Sequence, residues 1–147
     1  MTCKKKAMNK LRFFLFTFGM ANTGLVLYGL LAMYSPGILV ETFTSSVYQF
    51  PADAAPALTY LAALFRLLGF LNLILGITGL ILLWRFWDNR EPWLKVSIIS
   101  ISMLSYLGPI IFDNTVGSIG VFEFIEHLLF AGMLLSALTM IRFRQPG

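Results

Sequence analysis

Charge is what this chain has least of. Only 12% of its 147 residues are Asp, Glu, Lys or Arg, roughly half the share found in a soluble domain. Hydrophobic residues make up 58% and aromatic residues 15%, with a mean hydropathy of +0.80. This balance excludes a soluble enzyme domain, a nucleic-acid module and a disordered tail. Cysteine is almost missing too. Cys3 stands alone, so no intramolecular disulfide and no cysteine-based metal site can form. His127 is the only histidine. Ser97, Ser100, Ser102 and Ser105 therefore have little to support nucleophilic catalysis, and such serines commonly bond back to a carbonyl one turn earlier.

What is present is a set of long apolar runs. A transmembrane helix needs about 20 mostly apolar residues to cross about 30 Å of hydrocarbon. Residues 11–34, 57–84, 93–112 and 116–141 each meet that length. The chain reads as an all-α integral membrane protein, a single four-helix bundle whose helices pack with a left-handed seam. The first run follows a basic start, as a signal peptide does, but it is too long for that segment and no small-x-small site follows. We read it as a retained helix.

The positive charges set the orientation. Lys4, Lys5, Lys6, Lys10 and Arg12 precede the first span, Arg85, Arg90 and Lys95 cluster around the loop between spans two and three, and Arg142 and Arg144 follow the fourth. Ten of the eleven basic residues thus lie on one side. The positive-inside rule predicts both termini in the cytoplasm. The net charge of +4 accordingly reflects topology and does not call for a nucleic-acid partner. Trp84, Trp87 and Trp93 gather on the same side, where amphipathic rings favour the interface.

On the opposite side, residues 35–56 form a long connection rich in Ile38, Leu39, Val40, Phe43, Val47, Tyr48 and Phe50. This segment is too apolar for a free loop. It is expected to lie along the interface as a short amphipathic stretch, or to fold over the bundle as a lid. Gly108-Pro109 is expected to kink or end the third span, with residues 112–115 turning into the fourth.

Span two carries the clearest packing signal. Ala62, Phe65, Gly69, Asn72, Gly76, Gly79 and Leu83 recur at spacings of 3 and 4. Small residues at such positions let backbones approach in a membrane, where lipid supplies no hydrophobic drive for helix association. Gly132-x-x-x-Ser136 and Gly19-x-x-x-Thr23 suggest similar contacts in spans four and one.

Four polar residues inside these runs are the candidate site. Arg66 lies about 13 Å into span two, and Glu126 and His127 lie at a similar depth in span four. Glu123 is separated from His127 by about 40° and from Glu126 by about 60° around the helix, so the three share a face. An unpaired charge at such depth costs about 2.5 kcal/mol or more. Hence the expectation is an ion pair between Arg66 and Glu126 or Glu123, with His127 beside it and Asp113 and Asn72 at the rim. One carboxylate is left over, available to a ligand, a proton or a partner. No catalytic residue is assigned. A metal held by Glu123, Glu126, His127 and Asp113 lacks the paired Glu-x-x-His of di-iron bundles and the His-Glu-x-x-His of zinc proteases. The sequence requires no cofactor.

The stretch Arg66-Leu-Leu-Gly-Phe-Leu-Asn-Leu-Ile-Leu-Gly-Ile-Thr-Gly-Leu resembles the Arg-x-x-Gly…Gly-x-x-Gly second helix of small bacterial four-helix membrane proteins, the DoxX-like proteins and their neighbours. That resemblance implies a multi-pass protein of the bacterial inner membrane, in some cases an accessory subunit of redox assemblies at the quinone level. Taken together, the expected function is a non-enzymatic accessory or ligand-binding subunit in the bilayer, within a homo- or hetero-oligomer. The alternatives are a proton-coupled small transporter working as an oligomer, or a quinone-linked redox subunit.

Overall fold

The computed structural model describes residues 2–46, 55–116 and 121–141. Its elements are α1 (Thr2–Tyr34), α2 (Pro36–Ser46), α3 (Ala55–Asn89), α4 (Pro92–Val116) and α5 (Val121–Ile141). Four of these are long and apolar enough to cross a membrane, over Met8–Tyr34, Ala55–Asn89, Pro92–Thr115 and Val121–Met140. The all-α four-helix membrane bundle is therefore the observed fold. Val47, Tyr48 and Phe50 of the outer connection, and Arg142 and Arg144 after α5, lie outside the described residues.

The four spans form a ring in which α1 packs on α3, α3 on α4, α4 on α5 and α5 back on α1. Across the diagonals, α1 meets α4, while among the described residues the α3 and α5 backbones do not come together. The α1–α3 contact is the most extensive, and the small-residue seam explains it. Gly69, Gly76, Gly79 and Leu83 are the buried line of α3, with Phe86 continuing it. A Cβ on Gly69 would stand 2.8 Å from the Gly29 carbonyl oxygen, and one on Gly76 would stand 2.8 Å from the Asn22 carbonyl oxygen. Backbone thus meets backbone, and only glycine leaves the room. The partner positions on α1 differ from those expected. Gly19 has nothing near its Cβ position and Thr23 is exposed, whereas Gly29 and Asn22 take the contact. On α5, Gly132 meets Thr17 only at an ordinary 4.0 Å, while Ser136 is fully buried.

Packing is concentrated at the end that holds the α3–α4 turn. Phe14, Phe18, Leu83, Phe86, Leu94, Ile98 and Met133 make the core there, with the Phe14 and Phe18 rings 4.6 Å apart. At the opposite end the two sides of the bundle differ. Gly29 and Ala32 of α1, Pro36 and Leu39 of α2 and Gly69 of α3 are buried together on one side. On the other, no described residue of α4 beyond Tyr106, or of α5 before Met133, is buried.

Two expectations are revised here. The apolar connection after α1 begins as a helix, α2, which packs on α3 and α1, with Phe43 edge-on to Phe65 at 6.4 Å. And α4 does not end at Gly108-Pro109: it runs through Pro109 to Val116. A proline is tolerated in a membrane helix where neighbouring groups take up the freed backbone. The consequence is positional, because Asp113 and Asn114 become helical residues facing α5.

Candidate functional site

The polar residues at the end away from the α3–α4 turn come from α4, α5 and α1. The continued α4 places Asp113 and Asn114 one residue apart, and on α5 Glu126 and His127 are likewise adjacent. Antiparallel packing brings the two pairs together. The side chains of Asp113 and Glu126 come close enough to interact with each other. Beside them, the Asn114 amide donates to the Ile110 carbonyl at 2.7 Å and meets His127 Nε2 at 3.2 Å. The other ring nitrogen, His127 Nδ1, lies 2.7 Å from the Glu123 carbonyl oxygen. These contacts fix the tautomer. A carbonyl can only accept, so Nδ1 carries the proton, and an amide nitrogen can only donate, so Nε2 accepts.

Asp113, Glu123, Glu126 and His127 are all half-buried, and Tyr28 of α1 stands close enough to interact with all three carboxyl groups. Tyr106, also near Glu126, is held elsewhere, its hydroxyl donating to the Ala21 carbonyl at 2.7 Å. The cluster therefore lines the loosely packed half of the bundle, between α1, α4 and α5. Among the described residues, no three His, Cys, Asp or Glu side chains stand as a metal-binding group. The Nε2 atom that a metal or haem iron would take already accepts from Asn114.

The sequence-derived site is brought together only in part. Glu123, Glu126 and His127 share a face, and Asp113 is a full member instead of a rim. Arg66 is not a member. It is exposed on α3, and because α3 and α5 occupy opposite corners and make no contact, it pairs with neither Glu126 nor Glu123. Counting residues along a helix gives depth but not the corner of the bundle, and the corner decides this pair. Asn72 is also on α3, half-buried in the seam and away from α5. Arg66 lies near a boundary: the 18 residues between it and Arg85 carry no charge and span about 28 Å, close to the thickness of the hydrocarbon.

A second polar centre escaped the sequence reading. Asn22 is fully buried where α1, α3 and α4 meet. Its amide donates to Ser102 Oγ at 2.9 Å and to the Phe18 carbonyl at 2.7 Å. Gly79 makes this possible, since a Cβ there would collide with Asn22 Oδ1. Asn22 interrupts the apolar run of the first span, and an amide in hydrocarbon needs a partner. Of the α4 serines, Ser105 bonds back to the Ile101 carbonyl at 2.7 Å, while Ser102 makes this cross-bundle contact. No family model, no characterised protein and no solved structure matches the chain.

Proposed function

We propose that this protein is a non-enzymatic membrane bundle serving as an accessory or ligand-binding subunit. The outer cluster of Asp113, Asn114, Glu123, Glu126 and His127 is the polar end of its site. One observation carries the reading: the cluster sits where α4 beyond Tyr106 and α5 before Met133 have no buried residue among those described. Ionisable groups inside a membrane protein are costly and mark functional sites by default. Arg66, exposed on α3, is not among the groups that act on Asp113 or Glu126. A molecule with an apolar body and a hydrogen-bond-donating or cationic head matches both halves of the site. The basic residues of the sequence orient the cluster toward the outer face, with both termini in the cytoplasm. The resemblance to DoxX-like proteins is in keeping with a bacterial inner membrane and an accessory role.

A second reading is favoured by one specific contact. Asp113 and Glu126 lie close to each other, and two neighbouring carboxyl groups can share a hydrogen bond when one of them carries the proton, which suits a relay or coupled transporter. Native mass spectrometry of the detergent-extracted protein separates the readings. An accessory or ligand-binding subunit retains a partner chain or small molecule, and the isosteric pair Asp113→Asn with Glu126→Gln loses it. If the wild-type protein carries neither, or if the variant keeps everything the wild type has, the ligand-binding reading fails.

A further inference from the structure

His127 is the only histidine of the chain, and its ring joins α5 to α4. Nδ1 donates to the Glu123 carbonyl oxygen of its own helix at 2.7 Å. Nε2 stands 3.2 Å from the amide nitrogen of Asn114 on α4. That nitrogen has two protons, and the other one goes to the Ile110 carbonyl oxygen at 2.7 Å. The link to Asn114 therefore holds only while the imidazole is neutral. A proton added at Nε2 points at an N–H group. Turning the amide over to offer Oδ1 sets that oxygen against the Ile110 carbonyl instead. Asn114 has no way to keep a charged ring.

The groups around the ring decide where a charged imidazole goes. Asp113 precedes Asn114 on α4, about 100° around the helix, and is half-buried where Asn114 is exposed. It stands two turns beyond buried Tyr106 on the same face, so it points into the bundle. His127 is close enough to act on its carboxyl group. Glu123 and Glu126 lie on α5 itself, and α1 contributes the Tyr28 hydroxyl, while Tyr106 is engaged by the Ala21 carbonyl. Neither residues 13–65 nor residues 96–141 contain a Lys or Arg. We propose that His127 is a proton-operated switch between α4 and α5: neutral, it is held by Asn114 at the rim, and protonated from solution, it exchanges Asn114 for the Asp113 carboxylate inside the bundle. Nδ1 carries a proton in both states and stays on Glu123, so the ring keeps its anchor. Imidazole is the side chain whose ordinary titration falls between about pH 5 and 8. The switch stands on these contacts and does not depend on what the cluster binds.

Magnetic resonance of the full chain in lipid nanodiscs tests it. With isotope-labelled histidine and no polyhistidine tag, every histidine signal comes from this one ring. The expected form at high pH carries its proton on Nδ1 alone. On acidification both nitrogens are protonated, and Nε2 comes into dipolar contact with a labelled aspartate carboxyl carbon. Two variants move the midpoint of this titration in opposite directions. Asn114→Leu removes the donor that favours the neutral ring and raises the midpoint by about half to one pH unit. Asp113→Asn removes the acceptor of the charged ring, lowers the midpoint and abolishes the aspartate contact. Matching backbone amide spectra show that the variants keep the fold, and Asn114→Ala replaces the leucine variant if its spectrum departs. A ring that carries its proton on Nε2 at high pH overturns the proposal. So does an acid form without the aspartate contact, or a midpoint that either variant leaves unchanged or moves the other way.

Discussion

Asn22 of α1 and Ser102 of α4 hydrogen-bond across the bundle diagonal at 2.9 Å, and Gly79 of α3 closes over them. Three of the four spans are thereby fixed at one point, near the boundary between the packed inner end and the looser outer end. Side-chain hydrogen bonds between membrane helices contribute about 0.6 kcal/mol on average and up to about 1.7 kcal/mol. Asn22→Ala is therefore expected to lower the melting temperature in detergent measurably, and Ser102→Ala to lower it less, because Asn22 keeps the Phe18 carbonyl. Equal melting temperatures for all three proteins would remove this centre from the account.

The same point predicts a coupling. Gly79→Ala places a methyl group into Asn22 Oδ1 and is expected to destabilise the bundle strongly. In an Asn22→Ala background that clash is gone, so the second substitution should cost much less. A double-mutant cycle by thermal denaturation measures the difference. Strict additivity would mean that the two residues do not share space.

The α1–α3 seam predicts a contrast along one helix. Gly76→Leu forces backbones apart where the Asn22 carbonyl oxygen is 2.8 Å from a Cβ position, and is expected to disrupt the fold. Ile77→Leu, on the exposed side, and Gly19→Ala, with open space around it, are expected to leave the melting temperature within a degree or two. Comparable losses in all three would refute the seam.

At the α3–α4 turn, Arg90 adopts a φ of 48°, a left-handed conformation that costs an L-residue about 1 kcal/mol. Its amide donates to the Phe86 carbonyl at 3.0 Å, the bond of a helix C-terminus usually closed by glycine. Arg90→Gly is expected to raise stability slightly and Arg90→Val to lower it, as read by thermal melts in one detergent.

How much of this was legible in the sequence depends on the kind of information each feature needs. The spans were legible because their length is set by the bilayer, and the α3 seam because glycine at spacings of 3 and 4 has few other uses in a membrane helix. The continuation of α4 through Pro109 was not, since a proline ends a helix in water but not where neighbouring helices support it. That miss kept Asp113 and Asn114 in a turn and hid their pairing with Glu126 and His127. The Arg66 assignment failed for another reason. Pairing by charge and depth ignores which corner of a four-helix ring each helix occupies, and corners follow from packing. Asn22 and Gly79 lie 57 residues apart in sequence, and nothing local announces their contact.

The central claim is a polar site in the bundle that is open to the outer face, and thiol accessibility tests it most directly. In a Cys3→Ser background, Glu126→Cys is treated in intact cells with a small membrane-impermeant thiol reagent, with Ser136→Cys as the buried control. The account predicts that Glu126→Cys is modified from outside and that Ser136→Cys is not. Modification of Glu126→Cys only after the cytoplasmic side is exposed, or equal protection of both positions, would contradict it.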